Sequence, residues 1–321
     1  MTRYLTQRLI AFIPTLIGIS ILVFAAIRLV PGDQITAQLG TEAGMLTAEQ
    51  RASLEAYYGL DKPPIQQYFV WLGDAVQGNL GFSIRHGSAV LPLILERFPV
   101  TLELALMAIV IALSIGIPIG ILSAIRYNSP VDLFGRIFSM LGLAMPNFLL
   151  GTLIIYVLSV YFGILPNSGN YTRFTEDPWL NIQQLFFPAV TMGFSFSASV
   201  MRMTRSAMLE VMNEDYVRTA RSKGLREQTV IRRHALRNAL IPVVTLIGVE
   251  FGYLLGGAFI TEEIFALPGI GRLAVNAISQ REYALVQGVT LFIAINFIIV
   301  NLAVDVIYAA IDPRISYASH E

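Results

Sequence analysis

Long runs of apolar residues with few or no charges dominate this chain, and several reach the ~20 residues that cross ~30 Å of hydrocarbon. Six such runs are read as membrane spans, at about 9–30, 101–125, 137–164, 183–204, 239–261 and 284–310. No water is available there to satisfy backbone N–H and C=O groups, so each span is expected to be an α-helix. The first run follows Arg3 and Arg8 and exceeds the ~7–15 apolar residues of a secretion signal, so it is expected as an uncleaved helix. Pro146 and Pro242 fall inside spans, where each removes a helix hydrogen bond; a flexing point and a static kink both fit them.

The polar stretches between spans carry their own order signals. Pro31-Gly32-Asp33 closes the first span and opens a segment too long for a turn. Within it, Thr47 to Tyr58 predicts a short helix, with Thr47 and Gln50 spaced as a capping box and Gly59, Pro63 and Pro64 ending it. A second amphipathic stretch, Gln67 to Val76, precedes turns at Gly78, Gly81 and Gly87. The expected organisation is a first helix with its tail (1–30), a structured cap (31–98), a five-helix core (99–311) containing a charged loop at 205–240, and a tail (312–321). A disordered linker at 31–98 is the alternative, which its aromatic content disfavours. Tyr127 to Asp132 is expected as a tight turn, and Asn167 to Asn181 and Thr261 to Glu282 as loops.

Composition agrees with a membrane protein. Of 321 residues, 55% are hydrophobic and 14% charged, against about 25% charged in soluble domains. Net charge is zero, so nothing points to nucleic acid, and the absence of cysteine excludes thiolate metal sites and a cysteine nucleophile. With the N-terminus in the cytoplasm, that side holds fourteen of the 22 Lys and Arg residues and the other side eight. This positive-inside bias predicts both termini in the cytoplasm and the 31–98 cap outside.

Nine of the basic residues lie between Arg202 and Arg237, in a loop with a definite plan. Tyr216, Val217, Arg218, Thr219, Ala220, Arg221, Ser222 and Lys223 are read as about two helical turns, Gly224 as a chain reversal ahead of Leu225, and Glu227 to Asn238 as a second short helix. Two short helices at an angle make a stiff projection suited to docking a soluble partner. A purely topogenic cluster that meets anionic headgroups is the alternative.

Ala220, Gly224 and Ile241-Pro242 resemble the EAA loop of permease subunits of bacterial ABC importers. Arg218 stands where that motif's leading Glu would be and Thr219 replaces its first Ala; the run Arg218-Thr219-Ala220-Arg221, Lys223-Gly224 and His234-Ala235-Leu236-Arg237-Asn238-Ala239 is similar to the peptide and nickel branch. The likeness continues in Leu29-Val30-Pro31-Gly32-Asp33, Gly78-Asn79-Leu80-Gly81-Phe82-Ser83, Met145-Pro146-Asn147-Phe148, Glu263-Ile264-Phe265-Ala266-Leu267-Pro268-Gly269-Ile270-Gly271 and Asp312-Pro313-Arg314. The chain thus resembles the B-type permease subunit of a dipeptide, oligopeptide or nickel importer. That resemblance implies an all-α fold with six transmembrane helices in a prokaryotic inner membrane. It also implies a homologous C-type permease partner, two ATPase subunits that hold ATP and magnesium, and an extracytoplasmic binding protein that delivers peptide. The loop from Tyr216 to Leu225 would be the coupling helix against an ATPase. Nickel chelates, glutathione and oligosaccharides are alternative cargoes within the family.

Asn147, Glu250, Asn296, Asn301 and Asp305 are polar positions inside spans and are candidates to line a translocation path. Hydrogen bonding between helices is the plainer alternative for each. Catalysis is not expected. The only lysines, Lys62 and Lys223, follow Asp61 and Ser222, so no phosphate-cradling Gly-Lys-Ser/Thr loop exists. The three histidines, His86, His234 and His320, lie outside the spans, leaving Ser195 and Ser197 without a base. A proton-coupled carrier using Glu250 and Asp305 is the rival from another class; inverted repeats would favour it, and none is found.

Overall fold

The computed structural model describes residues 2–29, 35, 44–57, 59–166, 169 and 171–311, with side chains described except at 2–9, 57, 256–257, 305 and 307–311. Pro31-Gly32-Asp33, Tyr58, Asn167-Ser168 and the 312–321 tail therefore lie outside the described residues. The chain is mostly helical: α1 (Thr2–Leu29), α2 (Ala48–Tyr57), α3 (Pro64–Val76), a two-stranded hairpin (β1 Phe82–Ser83, β2 Ser88–Ala89), α4 (Val90–Ile125), α5 (Pro130–Ala144), α6 (Asn147–Phe162) and α7 (Pro178–Val211). It continues with α8 (Asp215–Ser222), α9 (Glu227–Thr229), π-helical turns at Val230–Ala235, α10 (Leu236–Gly257), α11 (Phe259–Ile264), α12 (Ile270–Ser279) and α13 (Tyr283–Ile311).

Among the described residues five helices are long and apolar enough to cross a membrane, or six if a bent pair counts as one span. That pair is α5 and α6, which meet at 98°. The single span expected over 137–164, kinked at most at Pro146, is thus two helices, and the sequence holds the reason. A residue before proline is pushed out of the helical region; Met145 is extended (φ −86°, ψ 116°), and Pro146 starts α6 from the N-cap position. Four of the other five apolar runs form helices longer than expected, α4 beginning eleven residues early at Val90 and α7 running on to Val211, while α10 ends early at Gly257.

Side-chain caps open three of the described helices, α2, α5 and α7. Thr47 and Gln50 form the reciprocal box, with Gln50 N donating to Thr47 Oγ1 at 3.2 Å and Thr47 N donating to Gln50 Oε1 at 2.9 Å. Pro64, read as a stop, instead opens α3, where its missing N–H costs nothing. Ser129 caps α5 ahead of Pro130, so the Tyr127–Asp132 turn is shorter than expected, and Asp177 caps α7 ahead of Pro178. The Thr261–Glu282 loop holds most of α11 and all of α12.

The described chain falls into two compact units, one of Val100–Leu267 with the chain from Ile299 onward, the other of Thr2–Pro99 with Pro268–Ile298. In the first, α4 and α7 approach backbone to backbone. A Cβ on Gly116 would sit 2.7 Å from the Ser197 carbonyl oxygen, and one on Gly120 would sit 2.8 Å from that of Met201. Leu104, Leu185, Ala189, Phe265 and Leu267 fill the core beside this seam. In the second unit, Leu80, Val90, Ile94, Leu273, Leu285 and Val289 make a core of their own. Beside it, Ser83 Oγ donates to the buried Glu282 carboxylate. The Tyr68 hydroxyl meets Ser20 of α1 at 2.8 Å.

Candidate coupling surface

Helix α7 ends at Val211, and Met212 N closes its last turn on the Met208 carbonyl at 2.9 Å. A short turn through Asn213 and Glu214 leads into α8. This helix buries only Val217 and Ala220, three residues apart on one stripe, against Val230 and Val211. Everything else from Tyr216 to Leu225 is exposed, Ala220 being the one candidate coupling residue given over to packing. A helix of two turns has too few internal hydrogen bonds to persist alone. Contacts to its neighbours must therefore hold α8 in place.

Three such contacts are found among the described residues. Arg221 donates through Nε to Glu227 Oε2 at 3.2 Å and through Nη2 to Glu227 Oε1 at 2.8 Å, and its Nη1 reaches the Met212 carbonyl at 3.4 Å. One guanidinium thus spans from the end of α7 to the start of α9, and its hydrogen bonds to Glu227 hold it above its ordinary pKa. Asn238 Nδ2 donates to the Tyr216 hydroxyl at 2.7 Å, tying α8 to α10. The third is the Val217–Ala220–Val230 contact itself.

Gly224 supplies the reversal, with φ at +74°. No atom lies within 4 Å of where its Cβ would be, so the demand for glycine comes from backbone conformation and not from space. Beyond it the chain does not form a separate second helix, as the sequence suggested for Glu227–Asn238. It enters α9, widens through the π turns, and continues as α10 without a break in direction marked by a loop. Such π turns cluster at functional sites. Residues 227–257 are therefore one continuous helical rod.

The outward residues divide by what they do. Arg221 and Tyr216 are held by partners in the chain. Arg218 touches Asp215 at 3.4 Å, with both side chains open to solvent (68% and 96% exposed), a pair worth at most a few tenths of a kcal/mol. Thr219 donates back to the Asp215 carbonyl at 2.8 Å. Arg218, Thr219, Lys223 and Leu225 make the face available to a partner.

The candidate path residues form no comparable cluster among the described residues. Asn147 is the first residue of α6, and Asn296 Nδ2 donates to the Phe292 carbonyl of its own helix at 2.8 Å. Glu250 and Asn301 are half-buried in α10 and α13, and the Asp305 side chain lies outside the described ones. Among the described residues no hydrogen bond joins Asn147, Glu250 and Asn301 to one another.

The ionic centre that sequence reasoning passed over is Asp132, fully buried in the first turn of α5. It accepts from Arg205 of α7, from Ser123 of α4 and, at 3.1 Å, from the Asn128 backbone N–H. The available signal was the Ser129-x-x-Asp132 spacing, a capping box that placed Asp132 inside a helix. Two further carboxylates are held by hydrogen bonds: buried Glu262, which accepts from Thr101 at 2.6 Å, and half-buried Glu103, which accepts from Tyr171 at 2.6 Å and Asn181 at 2.7 Å. Burial and that bond to Glu103 push the Tyr171 phenol well above its usual pKa.

Residues 116–317 match the protein family described as the binding-protein-dependent transport system inner membrane component. Residues 1–105 match the N-terminal family of the same membrane component. The chain is 41% identical over 319 residues to the oligopeptide transport system permease protein AppB of Bacillus subtilis (strain 168), covering 99% of this chain and 100% of that one. It is 39% identical over 339 residues to the dipeptide transport system permease protein DppB of Escherichia coli (strain K12), covering 99% of each. In fold it is similar to a chain of the MetNI methionine ABC transporter in inward-facing form, with a TM-score of 0.54 at 18% identity over 72% of this chain and all of that one.

Proposed function

The chain belongs to the family of binding-protein-dependent transport system inner membrane components, and from that premise we propose that it is one permease subunit of an ATP-driven importer of dipeptides and oligopeptides. The relatives' names support peptide as cargo. In this reading the chain is multi-pass in a prokaryotic inner membrane, with six spans, α5–α6 counting as one, and both termini in the cytoplasm. It pairs with a homologous C-type permease. Two ATPase subunits, which hold ATP and magnesium, engage α8, and an extracytoplasmic binding protein delivers the peptide.

The observation that carries this reading is α8 itself, a two-turn helix fixed at the surface by Arg221, Tyr216 and a buried Val217–Ala220 stripe, with Arg218, Thr219, Lys223 and Leu225 turned outward. It connects through Gly224 and the π turns to α10, so a push on α8 is delivered to a membrane helix. Driving a two-state equilibrium from 1:99 to 99:1 takes about 5.5 kcal/mol of differential interaction. Asn147, Glu250, Asn301 and Asp305 are proposed to border the path that opens, together with Asn296, whose amide is already satisfied by its own helix.

The test is uptake by vesicles holding the purified complex and its binding protein. Labelled dipeptide should accumulate with ATP inside, stop when the ATPases are left out, and survive collapse of the proton gradient. Accumulation by the permeases alone would overturn the reading, and loss with the gradient would favour a proton-coupled carrier. Competition by unlabelled peptides, glutathione, nickel chelates and oligosaccharides assigns the cargo.

A further inference from the structure

Helix α3 lies in the segment that the sequence assigned to a structured outer cap, yet it packs along the membrane helix α1 as well as against the core around Leu80 and Leu285. The Tyr68 hydroxyl meets the Ser20 hydroxyl at 2.8 Å. Phe24 is packed edge-on by Tyr68, with ring centres 5.3 Å apart, and is touched by Trp71 at 5.8 Å. Arg28 Nε donates to Gln67 at 3.1 Å. These contacts run down α1 from Arg28 to Ser20, in the middle of the apolar stretch Ile10–Leu29. Ser20 is nine residues before Leu29, which at 1.5 Å per residue places it about 14 Å along the helix, near half the thickness of a ~30 Å hydrocarbon core. A tyrosine side chain spans only part of that depth, so α3 itself sits below the end of the span.

The other faces of α3 say what surrounds it. Tyr68, Trp71 and Ala75 turn inward, while Ile65, Phe69 and Val76 are 74%, 64% and 80% exposed and follow one another on a single stripe. Gln66, Asp74 and Gln77 lie on the adjoining face, with exposed Val70 among them. Helix α1 likewise leaves Ile17, Ile21 and Leu22 exposed. A helix clasped to a span at this depth, apolar on one side and polar on the next, is built for the boundary between acyl chains and headgroups.

We propose that α3 is an interfacial helix embedded in the lipid leaflet at the Leu29 end of α1, with Ile65, Phe69 and Val76 resting on acyl chains and Asp74 and Gln77 at headgroup level. This goes beyond the importer reading, since it concerns the lipid and not the motor or the cargo. It also separates the 31–98 segment into a part that lipid covers and a part left for other contacts.

The chain has no cysteine, so single nitroxide labels can be placed cleanly at Leu22→Cys, Phe69→Cys and Asp74→Cys. The full complex is reconstituted in phosphatidylethanolamine–phosphatidylglycerol vesicles, and collisions with oxygen, which favours lipid, are compared with collisions with a water-soluble nickel chelate. Labels at 22 and 69 should show a several-fold excess of oxygen over nickel access, and the label at 74 the reverse. Nickel access at 69 alone would put the stripe in water and overturn the proposal. Low access to both reagents would place a protein partner there and overturn it equally. Nickel access at both 22 and 69 would overturn the span as well. Ile65→Cys repeats the reading should Phe69→Cys fail to accumulate.

Discussion

Arg205 grips Asp132 with two separate nitrogens, Nε to Oδ1 at 2.7 Å and Nη2 to Oδ2 at 2.9 Å. Asp132 is wholly buried, Ser123 donates to it as well, and the Tyr127 ring lies 5.5 Å from the guanidinium. The pair pins α5 to α7 two turns before α7 hands over to α8. Its planar, bidentate geometry suits arginine and would not be met by lysine.

Removing one partner of this pair leaves the other buried without compensation, which typically costs about 3–5 kcal/mol. Asp132→Asn should therefore lower the unfolding temperature of the purified complex, and Arg205→Lys should lower it too. The double variant Asp132→Asn/Arg205→Met should recover part of the loss. Unfolding curves unchanged by Asp132→Asn would show that the pair holds nothing together.

Gly224 sits in the left-handed region with open space around it. An L-residue pays roughly 1–2 kcal/mol there, and a β-branched one more. Gly224→Ala should reduce ATP-dependent uptake modestly and Gly224→Val should abolish it, with the protein still inserted at normal levels. Equal activity in all three proteins would remove Gly224 from the coupling role.

The basic residues of α8 should separate by function. Arg218→Ala and Lys223→Ala, which open contacts on the outward face, should weaken co-purification of the ATPases while leaving the permease fold intact. Arg221→Ala should act through the Glu227 and Met212 contacts instead, so the exchange Arg221→Glu/Glu227→Arg should restore part of what each single change loses. A failure of the exchange to rescue would make Arg221 a docking residue like the others.

Two glycines make a matched comparison of packing. Gly120→Ala puts a methyl group 2.7 Å from Thr204 Cβ, an overpacking worth about 1–3 kcal/mol. Gly18→Ala in α1 meets no atom within 4 Å. Yield and unfolding temperature should fall for the first and hold for the second; a neutral Gly120→Ala would mean that α4 and α7 can separate freely.

The spans are legible in the sequence because membrane helices announce themselves by continuous apolarity. The Thr47–Gln50 box, the Gly224 reversal and the helix at Tyr216 are legible because each is a local event. Relations between distant positions are not. Asp132 and Arg205 are 73 residues apart, and nothing local tells a buried aspartate from one in a turn, though the Ser129 spacing hints at it. Pro146 reads as a bend in one helix; only the extended Met145 before it reveals two. Tyr68 looks like part of an aqueous segment because its partner, Ser20, is 48 residues away. Ala220 reads as one more member of a docking face, yet its small size suits it to the core beneath α8.

The π turns at Val230–Ala235 hold a surplus residue that an ordinary helix has no room for. Each residue of an α-helix turns the chain by about 100°. Were that surplus to migrate toward Pro242, every side chain it passed would swing by roughly this angle and point elsewhere, while the helix kept its hydrogen bonds and almost its length. A rod of this kind can twist where a regular one can only tilt.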